Sequence, residues 1–211
     1  MSKLLILGAG GHGKVVAEVA MLMGAWENIA FLDDNDDIKN VCGVQVIGKT
    51  NDVGKYKNEY NHAFVAIGNN DLRIKLITKV IKEGFTVPTL IHPFTSISKN
   101  IFIGLGTVVM AGAVINPCVT IGKGCIINTA SSIDHDCIIE DGVHISPGAH
   151  LGGTVRVGSK SWICIGANVA NNVVIGNNTV IAAGAAVVND IESDVLAGGV
   201  PARVIKKRIQ I

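Results

Sequence analysis

From Ile97 onward an aliphatic residue returns at every sixth position, through Ile103, Val109, Ile115 and so on to Ile181 and Val187. All sixteen of these positions are Ile, Val or Leu, without a break. Four residues after each of them the chain is usually small or β-branched, as at Thr107, Ala113, Cys125, Ser131, Ala149 and Ser161. An amphipathic helix repeats near 3.6 residues and a half-buried strand near two, so neither explains a period of six. A parallel β-helix does. Each hexad supplies one short strand and one corner, and the aliphatic side chain points into a three-sided prism. No hexad can bury its own apolar face, so stacked coils must share one core.

Before the repeat the pattern changes. Residues 3–9 read as a buried strand running into Gly8-Ala9-Gly10-Gly11-His12-Gly13, and residues 14–23 have helical spacing. Strands follow at 29–32, 44–47 and 62–67, and a helix at 71–83 stops at Gly84. Alternating strand and helix predicts a small parallel sheet with helices packed on it, a Rossmann-like α/β unit. The boundary falls near Pro93, dividing the chain into 1–93 and 94–211. Gly8, Gly10 and Gly13 match GxGxxG between a strand and a helix, where backbone N–H groups and the helix N-terminus can meet phosphate oxygens. Asp33, at the end of the second strand, stands where an acid takes a ribose hydroxyl. The unit has the size of one mononucleotide-binding half, which suits a nucleotide sugar better than NAD. The competing explanation is that the glycines only make a tight strand–helix turn.

Composition narrows the partners. The chain is 48% hydrophobic but only 4% aromatic, as a core of repeating Ile, Val and Ala requires. A net charge of +1 with no basic run before the C-terminus leaves no electrostatic footprint for nucleic acid. The tail cations Arg203, Lys206, Lys207 and Arg208 read as a solvated end unless a phosphate meets them. Five cysteines without CxxC spacing read as reduced thiols, and no leader or membrane-spanning run is expected, so the protein is expected in the cytoplasm.

Within the repeat, Asn128, Asp134, His135, Asp136, His144 and His150 form the densest polar cluster. His135 sits at a corner between two acids, and a carboxylate holding one ring nitrogen raises the basicity of the other. Three hexads complete a coil, so Gly153 stacks above His135 at about 4.8 Å, the spacing of adjacent strands. A glycine there opens a backbone N–H to a developing oxyanion. His150 reads as a solvated corner residue. No HxH or HxxxH spacing supports a zinc site, and no metal is expected.

Several motifs carry a resemblance. LGAGGHG at the start, FLDD at 31–34, AIGNN at 66–70, IHP at 91–93, Asn128-Thr129, Asp134-His135-Asp136 and GVPAR at 199–203 span nearly the whole chain. In this order they resemble the bacterial hexapeptide acetyltransferases of nucleotide sugars, the bacillosamine branch grouped with sialic acid O-acetyltransferases. The resemblance implies a left-handed β-helix, acetyl-CoA as acetyl donor and a homotrimer. It implies His135 as general base, Asp136 as its orienting carboxylate (Asp here, where the bacillosamine enzyme has Glu) and Gly153 as oxyanion amide. Gly8, Gly10, Gly11, His12, Gly13, Asp33, Asp34, Asn69, Asn70, Arg73 and Asn128 would hold the nucleotide sugar. His144, Gly153, Gly166, Ala167, Ala185, Val200, Pro201, Ala202 and Arg203 would hold CoA. The expected reaction is acetylation of the amine of a UDP-linked 4-amino sugar. Acetylation of a sialic acid hydroxyl, a non-catalytic β-helical module and an NAD-dependent enzyme are the rivals.

Overall fold

A computed structural model describes residues 2–208 and divides the chain into two units, Met1–Pro93 and Phe94–Ile211. In the first, β1 (Lys3–Leu7) is a buried interior strand of a five-stranded sheet. It pairs in parallel with β2 (Asn28–Leu32) on one side and, on the other, with β5 (His62–Val65). Beyond β2 lie β4 (Val44–Gly48), also parallel, and a short antiparallel strand β3 (Asn40–Val41). The sequence pattern does not predict β3. It exists because Cys42 and Gly43 both take positive φ, 52° and 84°, which closes a two-residue hairpin.

Two helices pack on this sheet. In α1 (Gly11–Met23), Val16, Ala17, Val19 and Ala20 are buried on one face, and Gly24 ends the helix in the left-handed region. In α2 (Asn70–Lys82), the Asn69 side chain caps the start by accepting from the Leu72 N–H at 2.9 Å. The expected strand–helix alternation is present. A 3₁₀ turn at Thr50–Tyr56 is an addition, tied down where Thr50 donates from its N–H and hydroxyl to the Asp34 carboxylate.

The second unit is the prism. From Ser96 to Val187 its strands are two residues long and pair in parallel with residues eighteen positions away, giving three sheets. One carries Ser96, Val114, Ser132, His150, Asn168 and Ala186 on its outer face. The second carries Phe102, Thr120, Ile138, Arg156 and Val174. The third carries Val108, Ile126, His144, Trp162 and Val180. The hexad aliphatics from Val109 to Val187 point inward and are buried. Ile97 and Ile103 are only part-buried, because they belong to the first coil of the prism.

The small residues four positions on form a second inner column. There, polar atoms are satisfied by neighbouring coils: Thr107 donates to the Gly122 carbonyl at 2.8 Å and Ser161 to that of Gly176 at 2.7 Å. Burial pushes the Cys137 thiol up to about 11, so it fills space rather than reacting. The period breaks after Val187, and an antiparallel hairpin of Val195–Gly199 with Ala202–Lys207 closes the last coils.

Candidate active site

Backbone ladders hold His135 on both sides. Its carbonyl accepts from the Thr154 N–H of the coil above at 2.8 Å, and the next N–H, of Asp136, donates to Pro117 O below at 3.1 Å. Asp136 takes φ 58°, and this left-handed turn brings its carboxylate beside the ring of its own neighbour. Oδ2 of Asp136 lies 2.8 Å from Nδ1 of His135. A carboxylate only accepts, so Nδ1 carries the proton and Nε2 keeps its lone pair. The Asp136 hydrogen bond, and then the charge of Asp134, hold the His135 pKa above the ordinary imidazole value.

Asp134 is itself fixed. Its Oδ1 accepts from Asn116 Nδ2 at 2.7 Å and from the His135 N–H at 2.8 Å, and these bonds depress its pKa. Gly153 lies against the other edge of the ring. A β-carbon on it would come within 2.6 Å of both Cε1 and Nε2 of His135. The structure therefore brings His135, Asp136 and Gly153 together.

Asn128 and His144 form a separate group. Asn128 follows the strand at Ile126–Ile127 and His135 the strand at Ser132–Ile133, so the two groups occupy successive corners of the prism. Asn128 Nδ2 lies 3.2 Å from His144 Nε2. On His144 stacks the indole of Trp162, with centroids 5.5 Å apart and planes at 5°. Trp162 is absent from the residues singled out by sequence, although the eighteen-residue offset that pairs His135 with Gly153 also pairs His144 with Trp162. His150 lies beside Ser132 in its own sheet, with Nδ1 2.8 Å from Ser132 Oγ.

The expected cofactor residues divide. Gly166 is part-exposed in a left-handed turn, and Val200, Pro201 and Arg203 are exposed. Ala167, Ala185 and Ala202 are not available through their side chains, which face the core at 0%, 1% and 4% exposure. The reason is register: the first two occupy the inner small-residue column. A cleft of about 550 Å³ lies instead on Val180 and Leu196, rimmed by Lys206, Lys207 and Arg208. Its floor is apolar and its rim carries three cations, of which Arg208 also donates to the Asn178 carbonyl and Oδ1.

In the first unit the glycine loop has a division of labour. Gly8 has φ 103°, and a β-carbon there would lie 2.8 Å from Ala66 O. A β-carbon on Gly13 would lie only 2.1 Å from the Gly8 carbonyl oxygen. These two glycines are required by the turn itself. Gly10 and Gly11 face open space, with nothing within 4 Å of an added β-carbon, so the turn does not demand them. They border a cleft of about 420 Å³ with Lys14, Lys39 and Asn40. Asp33 reaches the loop: its Oδ2 accepts from the Ala9 N–H at 2.6 Å, while Oδ1 accepts from Asn35 N at 2.8 Å.

Other expected acceptor residues are occupied by the fold. Asp34 holds Thr50, and Asn69 is a helix cap. Arg73 is 1% exposed, and its guanidinium donates to the carbonyls of Ile67 and Gly68 and to Asn70 Oδ1. It braces the turn after β5 rather than lining a pocket, which corrects the sequence expectation. His12 is different. Its Nε2 is buried with no partner, and burial, then the Arg73 charge, push its pKa down to about 4. The imidazole is neutral near pH 7 and keeps a hydrogen-bonding atom unused. Among the described residues no cluster of three or more His, Cys, Asp or Glu is arranged for a metal ion.

A paired histidine beside a glycine, on a hexapeptide β-helix that follows a Rossmann-like α/β unit, defines a class: acyltransferases of sugars. Residues 3–80 match the PglD N-terminal domain family. The fold superposes on the acetyltransferase domain of PglB from Neisseria gonorrhoeae in complex with acetyl coenzyme A, with TM-score 0.93 and 42% identity. That match covers 96% of this chain and 98% of the other. A histidine-to-asparagine variant of perosamine N-acetyltransferase from Caulobacter crescentus, in complex with CoA and GDP-perosamine, matches with TM-score 0.94 and 38% identity, covering 98% of each chain. UDP-N-acetylbacillosamine N-acetyltransferase of Bacillus subtilis is 37% identical over 113 residues, 53% of this chain and 52% of that protein. The match thus spans about half the length of that relative. The chain belongs to the hexapeptide-repeat sugar acetyltransferases.

Proposed function

We propose that this protein transfers the acetyl group of acetyl-CoA to the 4-amino group of a sugar linked to a nucleoside diphosphate, with a UDP sugar as the first candidate. The observation that carries this is the free Nε2 of His135, oriented by Asp136 and set against Gly153. A sugar ammonium, with a pKa of about 10 like that of a lysine, must lose a proton before it can attack. That first proton goes to solvent; as the neutral amine bonds to the thioester carbonyl carbon, His135 takes a second proton from the attacking nitrogen. The Gly153 N–H faces the oxyanion. The C–S bond then breaks, and the imidazolium returns its proton to the departing thiolate, leaving CoA and the acetamido sugar.

The relatives support the substrates. PglB was solved with acetyl coenzyme A, and the Caulobacter enzyme with CoA and GDP-perosamine. In this chain the acceptor's phosphates are assigned to Gly10 and Gly11, and its ribose to Asp33. CoA is assigned to the cleft at Val180 and Leu196, with its thioester running towards His144. Because Asn128–His144 and His135–Gly153 occupy different corners, we read the working unit as a homotrimer whose neighbouring prisms complete each site. The setting is the cytoplasm, where thiols stay reduced, and the product feeds glycan assembly.

The decisive assay offers UDP- and GDP-linked 4-amino sugars, and a sialic acid, each with acetyl-CoA. Acetylation of the amines alone is the expected result. Turnover only of the sialic acid hydroxyl would replace this assignment. Sedimentation should give three chains per particle; an active monomer would remove the shared site.

A further inference from the structure

We infer that Asn116 is a positioning residue for the general base, acting through Asp134: it ties that carboxylate to the coil below and so keeps its oxygens off His135 Nε2. The inference rests on the reading of His135 as the base. The contacts themselves do not depend on it.

Asn116 lies one coil below Asp134, with its own N–H donating to Ile133 O at 3.0 Å. Its Nδ2 donates to Asp134 Oδ1 at 2.7 Å, and the His135 N–H donates to the same oxygen at 2.8 Å. Oδ2 accepts from no donor among the described residues. At the matching position one coil above stands Gly152, which has no side chain to hold the carboxylate from that side. The reactive edge of the ring faces the other way. Nε2 lies against Gly153, on the coil above, while Nδ1 is taken by Asp136 at 2.8 Å. Asp134 is drawn down, and the atom that takes the substrate's proton lies up.

That separation has to be enforced. The ring feels the charge of Asp134, and a carboxylate turns easily about its outer torsion, a broad two-fold well. Once His135 is protonated, its Nε2–H becomes a donor beside an acid with a free oxygen. No Lys or Arg stands at this corner on either neighbouring coil to compete for that oxygen. The coil below contributes Asn116, Pro117 and Cys118, and the coil above Gly152, Gly153 and Thr154. The titratable groups around the ring are therefore Asp134, Asp136 and the Cys118 thiol, whose sulfur accepts from Asn100 Nδ2 at 3.4 Å. A pair between Asp134 and Nε2–H would keep the ring protonated and fill the place of the attacking amine. Asn116 removes the carboxylate's freedom to form it, yet leaves its charge near the ring.

The test measures the acid limb of kcat/KM, with the His135 ring titration followed by NMR of histidine-labelled protein. His135→Ala identifies the signal. In Asn116→Ala the freed carboxylate should pair with the protonated ring, moving limb and titration up by about one pH unit. The loss of rate should grow as pH falls, to roughly tenfold below the limb. A merely structural loss would be equal at every pH. Asp134→Asn keeps both hydrogen bonds to Oδ1 and removes the charge, so its limb should move down. Adding Asn116→Ala to Asp134→Asn should then give no upward shift. A limb that stays or falls in Asn116→Ala overturns the inference, as does an upward shift that survives in the double variant. Asn116→Leu, which fills the space without donating, repeats the measurement if alanine unfolds the corner. If the protein acetylated no sugar amine, the ring titration would still report the tether, so the two failures remain distinct.

Discussion

The edge of the His135 ring rests over the α-carbon of Gly153, close enough that a β-carbon there would come 2.6 Å from Nε2. Ordinary carbon contacts need about 3.5–4.0 Å, so Gly153→Ala must displace the ring by about 1 Å. The backbone at Gly153 is not in the positive-φ region, and His135 is exposed, so the fold can yield at little expense. We expect kcat to fall on the order of a hundredfold while the melting temperature stays nearly constant. Kinetics and a thermal melt on one preparation check this; a large loss of stability with normal turnover would contradict it.

Removing the base outright is the coarser experiment. His135→Ala should lower kcat by about 10²–10⁴ and leave equilibrium binding of both substrates in place. Calorimetric titration separates the two effects. Loss of acetyl-CoA binding with intact chemistry would assign His135 to the cofactor instead.

Asp136→Asn tests the pairing by pH. The Asp136 hydrogen bond is the first cause holding the His135 pKa up, so the acid limb of kcat/KM should lie above 6.5 in the wild type. A raised pKa means the base is lost to protonation as pH falls through that limb. Asn accepts the same hydrogen bond without the charge, and it tolerates the left-handed backbone that Asp136 adopts. The limb should therefore move to lower pH, with a lower plateau from the weaker base. A limb that does not move belongs to another group.

The prism was legible because its period is strict: a recurrence of six places every aliphatic on one side of the backbone, and an offset of eighteen stacks residue on residue. That was enough to set Gly153 against His135. The same offset carries Trp162 onto His144, but a tryptophan at an outer strand position has no chemical mark of its own. Arg73 shows the opposite problem. A cation three residues into a helix after AIGNN reads as a ligand contact, and only the fold reveals that the carbonyls of Ile67 and Gly68 consume it. The 3₁₀ turn at Thr50–Tyr56 depends on the Asp34 contact across the sheet, which no local pattern announces.

The glycine loop permits the sharpest separation of fold from function. At Gly13 an added β-carbon would lie 2.1 Å from the Gly8 carbonyl oxygen, a backbone atom that cannot move away. Gly13→Ala should therefore destabilise the first unit by about 1–3 kcal/mol or more, with ligand affinity falling only as the fold is lost. At Gly10 the protein places nothing within 4 Å, and its φ of −73° is open to any residue. Gly10→Val should melt like the wild type. Its side chain would nevertheless occupy the space before the helix N-terminus assigned to the acceptor's phosphates. Hydrogen bonds to a charged group contribute about 1.5–3 kcal/mol each, so loss of one raises the acceptor KM by roughly tenfold or more. The acetyl-CoA KM should not change, since its assigned contacts all lie beyond Pro93. Varying each substrate in turn decides the matter: a rise in the acetyl-CoA KM alone would put the cofactor on the glycine loop and reverse the placement of the two substrates.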